Sequence, residues 1–311
     1  MAEIDIKEIN RRVKESPEEL VLESERIYHA RVAQIADDVT AHEKVRVILL
    51  AGPSGSGKTT SANLIKDAIR DRGKDAIVVS LDDFYKDSTD PTYPRLETGE
   101  RDFECPEALR LDEIRLTLGN IAEGREFVLP KYDFKIGGRG GETVHSAMPN
   151  GCVIVEGLHA LNPVISDGLP VESVLKIFVS VSTNVNNFRE RMLSGRKTRF
   201  IRRLVRDSLY RAADAERTLG MWRDVLEAED VYLYPYKTTA DIAFDTFHPF
   251  ELSVMKKYAL ALISPELAER EWYAGVVRCA LLATEEMDEA LIPEDSLIRE
   301  FIPGGKYENL Y

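Results

Sequence analysis

Nine residues, Gly52-Pro-Ser-Gly-Ser-Gly-Lys58-Thr59-Thr60, constrain this chain more than any others because of what flanks them. Before them stands Val45-Arg-Val-Ile-Leu-Leu-Ala51, which reads as a buried parallel strand, and after them Ser61 to Arg70 reads as an amphipathic helix. A strand, a glycine-rich turn and a helix in that order build a phosphate cradle. Gly52, Gly55 and Gly57 permit backbone conformations that a Cβ would forbid, so successive N–H groups can face one anion. Ser54, Ser56 and Thr60 add polar side chains to the same turn, Lys58 supplies a charge for the outer phosphates, and the Thr59 hydroxyl is placed to ligate Mg²⁺. The N-terminus of the helix adds its own partial positive charge. The expectation is a protein that binds a nucleoside triphosphate.

The rest of the core alternates short apolar runs with helical patterns. Strands are expected at Val45–Leu50, Ala76–Ser80, Cys152–Glu156, Leu175–Ser180 and Ile242–Asp245. Helices are expected over 59–72, 107–123, 185–193, 199–211 and 214–229. That rhythm predicts an α/β fold: a doubly wound parallel sheet of the P-loop NTPase type. Residues 1–44 form a helical N-terminal flank, with a helix start at Ser16-Pro17 and a packing stripe through Leu20, Ile27 and Val32 to Ile35. The P-loop core runs over 45–250 with a lid at about 184–213, and a helical C-terminal extension covers 251–311, with helices over Glu251–Ile263 and about 265–286. Gly137-Gly-Arg-Gly-Gly141 reads as the most flexible loop of the core.

A net charge of −13 argues against general binding to nucleic acid, which needs clustered Lys and Arg. Three cysteines, Cys105, Cys152 and Cys279, form no C-x-x-C pair, and the five histidines lack ligand spacing. His145, His159 and His248 read as packed or surface residues. No run approaches the ~18–20 apolar residues of a membrane span, and the N-terminus has no signal-peptide pattern. A cytoplasmic enzyme is the expectation, with neither nucleic acid nor membrane as partner.

Several further residues carry chemistry. Asp82 and Asp83 follow the second strand directly, at the sheet edge where doubly wound folds bind ligands. They can hold a metal-bound water or accept a hydroxyl proton, or simply cap a helix. Glu156 ends a buried strand, where a carboxylate calls for a cation, and Mg²⁺ bridging Thr59 and Glu156 meets that need. On the helix over 199–211, Arg199, Arg202, Arg203 and Arg206 fall within a ~100° arc, with Phe200, Ile201, Leu204 and Val205 outside it. Such a face is a lid closing over a triphosphate, or only a solvated surface. No guanine-reading N-K-x-D sequence is present.

In the order GPSGSGKTT, LDDFY, LPKYDF, VEGLHALNP, RRLVRD and TTADIAFD, the chain resembles the uridine kinase and phosphoribulokinase family of P-loop kinases over at least 45–250. Asp102-Phe-Glu104, the run to Pro163, Met221-Trp222 and the tail Ser296 to Ile302 are most similar to the kinase half of threonyl-tRNA-synthetase-like nucleoside kinases of the uridine kinase type. The resemblance implies transfer of the γ-phosphate of ATP to an acceptor hydroxyl with Mg²⁺ as cofactor. It makes Asp82 the general base and a neighbour of the metal held by Thr59 and Glu156, and Asp83 its companion. It puts Lys58, Arg203 and Arg206 on the phosphates and Arg211 at the acceptor. Tyr85, Phe103, Tyr132 and Phe134 would line a nucleoside pocket, and Glu104 would hold the ribose diol. The chain departs from the pattern where uridine–cytidine kinases carry a base-reading His, an Arg and a Gln: here stand Gly137, Ala213 and Met221. Glu104 also replaces the usual Asp. These changes imply relaxed or redirected selectivity. The expected acceptor is a nucleoside, with a sugar phosphate, pantothenate or glycerate as the alternative; a nucleotide-binding regulator is a further one. The helical flanks are candidates for self-association or for covering one edge of the sheet.

Overall fold

The computed structural model describes residues 2–310. The chain opens with strand β1 (Glu3–Asp5) and helices α1 (Ile6–Glu15) and α2 (Pro17–Ala41). Strand β2 (Val47–Ala51), five apolar residues all buried, leads through the glycine turn into α3 (Lys58–Asp71) and on to β3 (Asp75–Ser80). Helix α4 (Leu111–Ala122) precedes β4 (Phe127–Asp133), β5 (Gly138–His145) and β6 (Gly151–Glu156). The short α5 (Pro163–Ser166) leads to β7 (Val174–Ser180), β8 (Asn184–Asn187) and β9 (Glu190–Leu193), then α6 (Gly195–Tyr210) and α7 (Ala215–Tyr232). Strand β10 (Ile242–Asp245) and helices α8 (Glu251–Leu262), α9 (Pro265–Arg270) and α10 (Trp272–Leu282) complete the order.

The central sheet has the order β10-β7-β2-β6-β3, and every pairing in it is parallel. This is the doubly wound parallel sheet expected from the alternation of strands and helices. Because β2 lies in the middle, successive crossovers turn opposite ways beside it, and the crevice at its C-terminal end is where such a fold opens to a ligand. Buried apolar side chains cover both faces of the sheet: Ile48, Leu50 and Ile154 join one cluster with α2, α3 and α8, while Leu49, Val153 and Phe178 join another with α4. Among the described residues, no helix is long and apolar enough to cross a membrane.

Four local expectations are overturned. Residues 185–193 are the β8–β9 hairpin rather than a helix, with Phe188 at φ 56°. Asn-rich sequence is a poor helix former, and β1 pairs in parallel with β8 from Glu3↔Asn184 to Asp5↔Asn186, an arrangement that local pattern cannot foresee. The stretch after Gly137 is strand β5, paired antiparallel with β4, rather than a flexible loop. The helical run over 265–286 is broken at Glu271, whose backbone is extended at φ −113° and ψ 103°. Ile27 is 59% exposed and stands outside the stripe of α2, whose buried residues include Leu20, Tyr28, Val32 and Ile35.

Candidate active site

The turn after β2 carries Gly55 at φ 72° and Gly57 at φ 83°, left-handed conformations that favour glycine. Close approach adds a second constraint, since a Cβ on Gly55 would lie 2.7 Å from the carbonyl oxygen of Arg199, and one on Gly57 2.6 Å from Leu297. Lys58, Thr59 and Thr60 form the first turn of α3, which begins at Lys58 after Gly57. Lys58 folds back so that Nζ donates to the Pro53 carbonyl at 3.2 Å.

A cleft of about 230 Å³ opens over this turn. Its walls include Ser54, Lys58, Thr59, Asp82, Glu156 and Glu300. Glu156 ends β6, in the register position opposite Ser80 of β3, and only 7% of it is exposed. Burial pushes its carboxyl up to about 7; the Lys58 ammonium opposes that shift, and the nearby Asp82 and Glu300 charges add to it. Asp82 lies in the turn after β3. It opens to the cleft yet is ringed by protein, so its charged form is poorly hydrated and its pKa is raised, against the pull of Lys58 and Arg211. Burial likewise raises Glu104, opposed by Arg203.

The cations enter from α6 and its C-terminal end. Arg203 donates to Ser54 Oγ at 2.9 Å and pairs with Asp207 at 3.1 Å. Arg206 pairs with the same Asp207 at 3.2 Å and lies 3.8 Å from Glu300. Arg211 faces the cleft, and the charge of Arg206 together with burial pushes it down to about 10. Asp207, which also lies 3.5 Å from Arg211, thus holds three arginines beside the phosphate cradle. Beyond the cleft lies a cavity of about 820 Å³ that shares Phe103, Glu104 and Val225 with it. Leu96, Met221 and Val231 make further walls of this cavity apolar, and Arg95 and Arg101 lie at it too.

The sequence profile of the phosphoribulokinase / uridine kinase family matches residues 47–252. The chain belongs to that family. It is therefore a nucleotide-binding P-loop kinase, a phosphotransferase that acts on a hydroxyl group. This kinase is 31% identical over 199 residues to a uridine kinase of Staphylococcus haemolyticus, an alignment covering 63% of this chain and 85% of that one. It is 29% identical to a uridine kinase of Deinococcus deserti, across 66% of this chain and 89% of that one. Against a uridine kinase of Schizosaccharomyces pombe it is 33% identical over 55% of its length, and the match spans about a third (34%) of that relative. A solved structure described as a possible uridine kinase from Bacillus stearothermophilus aligns over 70% of this chain and 98% of that one, with a TM-score of 0.45 and 18% identity.

In the kinase, the fold gathers Gly55, Gly57, Lys58, Thr59, Asp82, Tyr85, Phe103, Glu104, Glu156, Arg203, Arg206 and Arg211 around one cleft. Gly52 sits just before the cradle, against the Val179 carbonyl, and Ser56 is fully buried beneath it. Asp83 turns away: it accepts the Tyr132 N–H at 3.2 Å and pairs with Lys131 at 3.1 Å. Tyr132 and Phe134 meet edge to face at 4.9 Å, with the cleft residue Tyr85 at 5.8 Å from Tyr132, but Tyr132 and Phe134 themselves stand outside the cleft and Phe134 is 68% exposed. The arginine face of α6 is not a solvated surface, since Arg199 and Arg202 are buried in pairs with Glu229 and Glu251. His159 is a packed residue of the cleft wall, and burial pushes it down to about 4.

Two carboxylates at the cradle have no signal in the core motifs. Glu229 of α7 accepts the Ser54 N–H at 2.9 Å. Glu300, from the C-terminal tail, accepts the Thr60 hydroxyl at 2.9 Å and its N–H at 3.3 Å. The tail resemblance from Ser296 to Ile302 contains Glu300, but a carboxylate beside a phosphate site is the reverse of what charge alone suggests.

Proposed function

We propose that this kinase transfers the γ-phosphate of ATP, with Mg²⁺, to the 5′-hydroxyl of a nucleoside. The observation that carries the reading is the junction of the cleft and the larger cavity at Phe103 and Glu104. An acceptor seated in the cavity has its hydroxyl directed toward Asp82, which shares the cleft with Lys58 and the arginines. Asp82 takes the proton of that hydroxyl, and its raised pKa suits a base that must hold a proton transiently. The P-loop amides, Lys58, Arg203 and Arg206 bind and orient the phosphates, and Arg211 faces the acceptor side. Catalysis then rests on positioning and on charge stabilisation.

The donor set fits Mg²⁺. Among the described residues, no group of three or more His, Cys, Asp or Glu could hold a metal alone. Mg²⁺ characteristically binds one or two carboxylates and keeps its other positions for water and substrate phosphates. Thr59 and Glu156 would hold it, with Asp82 beside them, and the burial of Glu156 next to two other acids is the imbalance that a cation relieves. When bound, the ion neutralises phosphate charge and lowers the barrier to transfer.

A sugar-phosphate acceptor is the second reading, and Arg95 and Arg101 at the cavity favour it. Yet two cations it would use near the β4–β5 hairpin are committed, Lys131 to Asp83 at 3.1 Å and Arg139 to Glu113 and Glu142, each at 2.9 Å. The apolar walls at Leu96, Phe103, Met221 and Val231 suit the flat face of a base. The test is release of ADP from Mg-ATP against uridine, cytidine, adenosine, guanosine, thymidine, pantothenate, glycerate and ribulose 5-phosphate. Turnover with a nucleoside supports the reading. Turnover only with a non-nucleoside overturns the acceptor class and keeps the chemistry.

A further inference from the structure

Three consecutive carbonyls of the glycine turn are gripped from outside the cradle. Ser54 O accepts from Arg199 Nη1 at 2.8 Å, Gly55 O from Arg202 Nη1 at 3.2 Å, and Ser56 O from Thr246 Oγ1 at 2.8 Å. All three donors are buried: Arg199 is 1% exposed, and Arg202 and Thr246 are 0% exposed. Each is fixed in turn. Arg199 makes a fork to Glu229 at 2.7 and 2.8 Å. Arg202 makes one to Glu251 at 2.5 and 3.1 Å and also donates to the Thr246 carbonyl at 2.7 Å.

We propose that Arg199, Arg202 and Thr246 are positioning residues for phosphate binding, acting through the P-loop backbone and not on the substrate. A trans peptide is planar, with its N–H antiparallel to its C=O. A carbonyl held on the outside therefore aims the next residue's N–H inward. Fixing the carbonyls of Ser54, Gly55 and Ser56 sets the N–H groups of Gly55, Ser56 and Gly57. The Ser56 N–H is used within the turn, on the Pro53 carbonyl at 3.1 Å, which leaves those of Gly55 and Gly57 for an anion. Glycine is also where a peptide plane rotates most freely, so these are the planes that most need holding. The two guanidinium charges are neutralised by Glu229 and Glu251, so their contribution is geometric. Donors fixed before the reaction need no reorganisation during it.

This inference rests on the reading of the cradle as a nucleotide site, and its test separates the two. Calorimetry with Mg-ADP compares the wild-type chain with Thr246→Val, which keeps the shape and removes the hydroxyl that donates to Ser56 O and accepts from Arg202 at 3.3 Å, and with Thr246→Ser, which restores it. The dissociation constant is expected to rise about fivefold in the Val variant, the worth of one net hydrogen bond, and to return within about twofold of wild type in the Ser variant. A purely structural role would lower the binding-competent fraction and leave the dissociation constant of the folded fraction unchanged. An unchanged constant in folded Thr246→Val overturns the inference. If that variant does not fold, Arg202→Lys keeps the charge opposite Glu251 and cannot span Glu251 and Gly55 together. An unchanged constant there has the same meaning. Failure of the wild-type chain to bind Mg-ADP overturns the nucleotide site itself.

Discussion

Glu300 of the C-terminal tail and Thr60 of the P-loop helix are joined by two hydrogen bonds, the hydroxyl at 2.9 Å and the backbone N–H at 3.3 Å. The amide is one of the first-turn donors of α3, the kind that phosphate groups use at a helix N-terminus. A carboxylate there satisfies the helix end, and it also places negative charge where the nucleotide brings more. Glu300→Gln is therefore expected to lower the KM for Mg-ATP by about two- to fivefold, with a larger effect at low salt. Steady-state kinetics at two ionic strengths check this. A raised KM would instead make the carboxylate part of the nucleotide site.

Asp82 and Lys58 share the cleft, and the roles proposed for them differ. Asp82→Asn is expected to keep Mg-ATP binding within about threefold and to lower kcat by roughly 10²–10⁴-fold, the usual worth of a general base. Lys58→Ala is expected to weaken binding and turnover together. Direct binding measurements beside kcat distinguish the two patterns, and near-normal turnover in Asp82→Asn would remove it from the base's role.

The proposed Mg²⁺-holding role of Glu156 predicts a pH-dependent metal requirement. Its pKa of about 7 means that it must lose a proton before it can hold Mg²⁺. The Mg²⁺ concentration for half-maximal activity is expected to rise as pH falls from 8 to 6. Glu156→Gln is expected to raise it about tenfold at pH 8 and to flatten that dependence. Excess EDTA is expected to abolish turnover in both proteins. Magnesium titrations at several pH values provide the test.

A separate acid is expected to make stability depend on pH. Glu25 of α2 is 5% exposed; it accepts the Ser296 hydroxyl at 2.5 Å and has His29 at 3.6 Å and His248 at 3.8 Å. Burial pushes its pKa up to about 7, and the Asp295 charge adds to the shift. His248, pushed by burial down to about 3, gives it no positive partner near neutrality. A carboxyl with a raised folded-state pKa contributes stability below pH 4.5 that is lost as pH rises through 7. Relative to Glu25→Gln, the wild-type protein is expected to lose up to about 3 kcal/mol between pH 4.5 and 8. Thermal unfolding of both proteins across that range checks the sign.

The central sheet was legible because β2, β6 and β7 are short apolar runs whose burial matches their composition. The cradle was legible because left-handed turns restrict residue choice at Gly55 and Gly57. The β8–β9 hairpin was not, since its form depends on pairing with β1 at the far end of the chain. Asp83 stood beside Asp82 in the motif, yet a turn sends adjacent side chains different ways, and Asp83 went to the Tyr132 amide. The sequence alone offers Arg199 and Arg202 only as a lid or a solvated face, because their partners, Glu229 and Glu251, lie 30 and 49 residues away. Glu300 gives no local signal for the same reason, at a separation of 240 residues from Thr60.

The contact of Leu297 with Gly57 sets a limit on how this chain can be divided. The family profile ends at residue 252, yet a wall of its phosphate site is made after that point, and the tail is bound through Ser296 to Glu25, ahead of residue 47. The end of the profile match is therefore not the end of the site. A fragment trimmed to the matched segment would carry the whole signature and lack part of the site, so the smallest working unit is larger than the recognisable one.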